Sequence, residues 1–141
     1  MSQLNVQFSV ASHVMAALAM NEGEPVRSST LAGSVNADPS FVRRVVSKLA
    51  KAGLVTTTRG KNGACMLARP AAQVTLLDVY RASEAPQAFV VHGYPVTEGC
   101  RVSRNIKACM SEVLHEAQNS FEESLAHRTL ADVVAALAQG R

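Results

Sequence analysis

From Pro39 to Lys61 the sequence carries six basic residues, Arg43, Arg44, Lys48, Lys51, Arg59 and Lys61, and no Asp or Glu, in a chain that holds eleven acids. Cations massed without counter-charges suit phosphate neutralisation, and arginine adds a planar fork that matches the edge of guanine. A merely solvated charged face mixes both signs; this one does not. Ser40, Arg43 and Arg44 fall in the first turns of a helix that begins after Asp38-Pro39, within reach of base edges or backbone. Arg59 and Gly60 lie at the tip of a turn that suits a narrow minor groove, where the potential is most negative. Lys48, Lys51 and Lys61 read as phosphate contacts that hold register without carrying sequence information.

The second set of reactive groups is the three cysteines, Cys65, Cys100 and Cys109. An odd number argues against a disulfide framework and leaves room for thiol chemistry. Cys100 is the foremost candidate redox thiol, because the start of a helix and the neighbouring Arg101 and Arg104 favour thiolate. Cys65 is the rival, being close to the basic turn, while Cys109, beside Met110 and Val113, is expected to be packed. On one helix Cys100 and Cys109 stand about 13 Å apart along the axis, out of disulfide reach. His13, His92, His115 and His127 show no metal-ligand spacing, and neither a metal site nor a cofactor is expected. A glycine-rich phosphate loop, a paired metal motif and a nucleophile with its base are all missing, so no catalytic residue is assigned and an enzyme is not expected.

These groups need elements to hold them. After Asp38-Pro39, Phe41, Val42, Val45, Val46 and Leu49 recur at helical spacing and Gly53 ends the run, which leaves the basic side chains on the other face. Leu54 to Thr58 is strand-prone; Arg59-Gly60-Lys61-Asn62-Gly63 is a turn, and Cys65 to Ala68 is a second short strand closed by Arg69-Pro70. Helix, strand, basic turn and strand make a winged helix. Ahead of it, one helix spans about Gln7 to Met20, with Phe8, Val10, Ala11, Val14, Ala17 and Leu18 inward. A second is capped at Ser28 or Ser29 and stops at Asn36-Ala37, which is helix-turn-helix spacing. Val74 to Ala82 forms one more helix after the wing.

A compositional break at Ser83-Glu84-Ala85-Pro86 divides the chain into a DNA-binding part, 1–85, and a part, 86–141, that holds a connecting loop, a long helix and a C-terminal helix. The basicity belongs to the first part, with nine Lys/Arg against five Asp/Glu, compared with five against six in the second. The long helix, about Ser103 to Ser124, carries Ile106, Met110, Val113, Leu114, Ala117 and Phe121 as a stripe roughly 30 Å long. A last helix, opened by the Thr129–Asp132 capping box, covers only part of that stripe, so the remainder is expected to hold a homodimer. The fold class expected is mainly α: a winged helix-turn-helix with a two-stranded wing and a long C-terminal dimerisation helix. With 48% hydrophobic residues, no apolar run long enough to span a membrane and no signal-peptide layout at Met1 to Val10, a cytoplasmic protein is expected.

Phe41-Val42-Arg43-Arg44-Val45-Val46-Ser47-Lys48-Leu49-Ala50-Lys51-Ala52-Gly53-Leu54-Val55, with Arg59-Gly60-Lys61-Asn62-Gly63 and Leu67-Ala68-Arg69-Pro70, resembles the recognition helix and wing of the bacterial Rrf-two regulators. That family includes the iron–sulfur cluster regulator, the nitric-oxide-sensing repressor and the cysteine-metabolism repressor. The resemblance extends to Thr75–Ala82 and Thr129–Val134. It implies a homodimeric repressor that binds double-stranded DNA at a roughly palindromic operator. Cluster-binding members place three cysteines before and at the start of the long helix, where this chain offers Cys100 and, further on, Cys109; the resemblance is therefore to the cluster-free branch. Two alternatives stand beside it. One is a mixed-ligand cluster assembled across a dimer from Cys100, Cys109 and a histidine or carboxylate. The other is a winged helix used for protein interaction, which acidic or neutral residues on the recognition helix would favour.

Overall fold

The computed structural model describes residues 5–58 and 63–140. Among these residues six α-helices and three short strands follow the order α1 (Gln7–Met20), β1 (Val26–Arg27), α2 (Ser28–Val35), α3 (Pro39–Lys51), β2 (Val55–Thr57), β3 (Ala64–Leu67), α4 (Leu76–Ala82), α5 (Arg101–Ala126), α6 (Leu130–Ala138), with a 3₁₀ turn at Ala71–Gln73 before α4. This is the mainly helical, winged helix-turn-helix class expected.

Local chemistry sets most boundaries. Asn36 ends α2 in the left-handed region at φ 60°, which asparagine tolerates better than most residues. Two residues later Asp38 caps α3, its Oδ2 accepting the Phe41 N–H at 3.3 Å, with Pro39 supplying a preset φ in the first turn. Gly53, at φ +80°, turns the chain out of α3 into β2. Thr75 with Asp78 and Thr129 with Asp132 form reciprocal capping boxes at the starts of α4 and α6. Ser28 and Ser29 do not cap α2; Arg27 holds that position in extended conformation and Ser28 enters the helix.

The sheet order is β1-β3-β2, antiparallel throughout, with Val26 opposite Cys65 and Thr57 opposite Cys65 on the other side. Sequence periodicity misses β1, whose two residues pair only because β3 passes beside them.

Two compact units result, residues 1–85 with 125–141, and residues 86–124. In the first, Met15, Leu18, Leu31, Val42, Leu49, Leu54, Cys65, Val74, Val79 and Leu130 are essentially inaccessible. Burying each of these aliphatic side chains is worth about 1.5–3 kcal/mol. Helix α6 belongs here, packed on α1 and the 3₁₀ turn. The backbone pins it: Leu76 N–H donates to Arg128 O and Leu130 N–H to Val74 O, each at 2.8 Å. That differs from the expected division, which put residues 125–141 with the long helix; an apolar residue such as Leu130 announces that it is buried, not against what.

The second unit is an extended segment laid along α5. Ala88 N–H donates to Gln118 Oε1 at 3.0 Å, Thr97 N–H to Ser103 Oγ at 2.7 Å, and Lys107 Nζ to Tyr94 O. Val90, Val91 and His92 with Ile106, Lys107, Met110 and Leu114 enclose a groove of about 240 Å³. The stripe is therefore divided, with Ile106, Met110, Leu114 and Phe121 half-buried within the protomer and Val113 and Ala117 exposed. No helix among the described residues is long and apolar enough to cross a membrane.

Candidate nucleic-acid interface

Helix α3 buries Val42, Val45, Val46 and Leu49 and turns Ser40, Arg43, Arg44 and Lys51 outward. Burial on one stripe dictates exposure on the other. Arg43 Nη2 donates to Ser40 Oγ at 3.2 Å, which orients its fork along the first turn of the helix. The Arg44 guanidinium stands 5.7 Å from the centroid of the Phe41 ring, a cation–π arrangement that limits its rotamers.

Arg43 borders two depressions. The larger, about 610 Å³, lies between α2 and the start of α3, where Arg27, Ser28, Ser29, Gly33 and Asn36 join it. The smaller, about 230 Å³, runs from Ser47 and Ala50 of α3 to Thr57, Thr58 and Gly63 at the base of the wing. A concave surface edged by two arginines, serines and a helix N-terminus can accept a phosphate backbone while α3 enters a groove. Arg27, Ser28 and Ser29 were not among the residues expected here. Their signal was legible as an arginine followed by hydroxyl residues opening the helix before the recognition helix.

Two of the candidate site residues are placed differently. Lys48 is drawn aside: its Nζ donates to Gln7 Oε1 of α1 at 3.1 Å and lies 3.5 Å from Glu84 Oε2, with only 33% of its side chain exposed. Cys65, read as the rival redox thiol close to the basic turn, is instead core, 2% exposed on the central strand. Burial pushes its thiol up, opposed in part by a hydrogen bond with Ser28, so it is a poor source of thiolate. Arg59, Gly60 and Lys61 lie outside the described residues.

Cys100 precedes α5 at its cap position, where Sγ accepts the Ser103 N–H at 3.4 Å; it is half-buried. Cys109, expected to be packed, is exposed. His13 pairs with Ser34 Oγ at 3.0 Å. Among the described residues no three His, Cys, Asp or Glu side chains converge as a metal-ligand set.

The model of the Rrf2 family, described as an iron-dependent transcriptional regulator, matches residues 4–136. The chain belongs to the Rrf2 family. It is 35% identical over 132 residues to YwnA of Bacillus subtilis strain 168, named as an HTH-type transcriptional regulator, covering 93% of this chain and 96% of YwnA. A crystal structure described as a transcriptional regulator from Lactobacillus plantarum superimposes with a TM-score of 0.82 at 28% identity, over 96% of this chain and 91% of that one. The global cysteine regulator CymR of Bacillus subtilis shares the fold, with a TM-score of 0.67 at 24% identity over 96% and 98% of the two chains. This Rrf2 protein is thus a DNA-binding transcriptional regulator of the winged helix-turn-helix kind. Iron, which the family description implies, does not fit the donors described here. Cys100 and Cys109 are separated by about 13 Å along the helix axis, and among the described residues no three His, Cys, Asp or Glu side chains gather at either.

Proposed function

We propose that this regulator is a cytoplasmic homodimeric repressor that reads a two-fold symmetric operator through α3. Ser40 and Arg43 would contact bases, while Arg27, Arg44 and Lys51, with Arg59, Gly60 and Lys61 of the wing turn, would contact backbone or minor groove. The observation that carries the reading is the exposed, acid-free face of α3 beside the groove shared by Arg27 and Arg43. Dimerisation through α5 is supported by the apolar surface left on the second unit, where Val102 is 66% and Val113 51% exposed. A thiol response is assigned to Cys100, half-buried at the head of α5, rather than to the enclosed Cys65.

Selection from a random-sequence duplex pool tests the reading. Two identical recognition helices should enrich an inverted repeat whose half-sites lie about 10 bp apart or at a multiple of that spacing. Enrichment of an asymmetric site, or of none, would refute it.

A further inference from the structure

Lys48 and Arg43 share one helix but face different neighbours. Five residues apart, they are separated by about 140° around α3. Arg43 borders the groove beside α2, whereas the Lys48 ammonium sits in the corner between α1 and the end of α4, donating to Gln7 Oε1 at 3.1 Å and pairing with Glu84 Oε2 at 3.5 Å. Glu84 is held there by its backbone. It adopts φ +57°, a left-handed conformation that non-glycine residues seldom take, directly after Ser83 closes α4. Ser83 is 1% exposed; its hydroxyl donates to Tyr80 O at 2.7 Å and accepts the Ala85 N–H at 3.3 Å. The Phe8 and Tyr80 rings, meeting edge to face with centroids 5.4 Å apart, brace α1 against α4 behind the same corner.

We infer that Lys48 and Glu84 are a positioning pair for the recognition helix: their contact sets the angle at which α3 presents Ser40, Arg43 and Arg44, and Lys48 adds no phosphate contact of its own. The inference rests on the reading of α3 as the DNA-contacting helix. An ion pair this exposed, at 33% and 62% of the two side chains, adds little to folding. Base contacts, by contrast, depend on placement to within about half an ångström, so a small tilt of α3 is felt at the DNA before it is felt in stability.

The sign of one substitution separates positioning from direct contact. Glu84→Gln removes a negative charge from a DNA-binding unit and frees Lys48, so simple electrostatics requires tighter binding. A positioning pair requires weaker binding. The full-length protein and its Glu84→Gln, Lys48→Gln, doubly substituted and charge-exchanged (Lys48→Glu with Glu84→Lys) variants would be titrated against a duplex selected from a random pool by the native protein, and against a scrambled duplex, across a salt series. We expect each single substitution to cost about threefold to fivefold on the selected duplex, the size of an exposed ion pair, with the salt slope unchanged. The double variant should be no worse than either single one, and the exchange should restore binding, since the Gln7 amide can also donate to a carboxylate at position 48. Tighter binding by Glu84→Gln, or a Lys48→Gln slope flatter by about one unit per copy, overturns the inference and makes Lys48 a phosphate contact. Arg43→Ala in the same assay keeps the two readings apart. Should it bind the selected duplex like the native protein, the DNA-contacting role of this face falls; should it alone lose affinity, only the positioning pair falls.

Discussion

Arg43→Ala removes the side chain that borders both depressions, and its cost follows from where the guanidinium stands. It is exposed, so the protomer loses no packing, and its hydrogen-bond partner among the described residues, Ser40 Oγ at 3.2 Å, can turn to water. Stability should change by less than about 0.5 kcal/mol. A lost bidentate base contact costs about 1–3 kcal/mol, or roughly fivefold to 150-fold in affinity for the preferred sequence. Lys51→Ala, on the same face, should behave differently. A lost phosphate contact weakens all sequences alike and flattens the plot of log K against log salt by about 0.9 per copy. Arg27, Arg44 and Lys51 acting as phosphate contacts in both copies give a native slope of roughly −5 before the wing adds its share. Fluorescence anisotropy on a selected and a scrambled duplex, across a salt series, measures all of this. Equal weakening of both duplexes by Arg43→Ala would show that Arg43 positions without reading, and unchanged affinity in both variants would remove this face from the interface.

Val113→Glu, placing a charge on the exposed part of the α5 stripe, should give a monomer by light scattering at low micromolar concentration with the fold intact; Phe121→Glu combined with it disturbs the protomer as well, because Phe121 is half-buried. A Val113→Glu dimer would place the interface elsewhere. Leu130→Ala, at a residue with no exposure, should cost about 2–5 kcal/mol and lower the unfolding midpoint of the winged-helix unit, as read by urea denaturation; a change below about 1 kcal/mol would mean that α6 is not part of that core. Native protein should alkylate readily at Cys109, more slowly at Cys100, and at Cys65 only on unfolding. Because burial raises the Cys65 thiol, the stability it confers is complete below the ordinary thiol range and is lost as pH climbs through the raised value, a loss that Cys65→Ala should abolish. Peroxide should weaken operator binding by native protein and by Cys109→Ser but not by Cys100→Ser; a Cys100→Ser variant that still responds removes Cys100 as the sensor.

Interactions that close within a few residues were legible in the sequence. Asp38 with Phe41, Thr129 with Asp132, the turn at Gly53 and the apolar period of α3 each involve neighbours along the chain, so their residue types declare them, and they delivered the helices, the wing strands and the outward face that carries Arg43, Arg44 and Lys51. The partners of residues distant in sequence were decided only by the tertiary structure. Lys48 reads as one more cation in a basic run, yet its ammonium is claimed by a side chain 41 residues away. Cys65 reads as part of the wing close to the basic turn, yet β1, too short to declare itself, makes β3 a central strand, and the thiol is buried in the hydrophobic core. Helix α6 shows an apolar face that would serve α5 or α1 equally; in the fold it packs on α1, and a backbone bridge between Thr75 and Thr129 ties its start to that of α4. The hydrophobic effect is non-directional, so periodicity announces that a face will be buried and leaves open what will bury it.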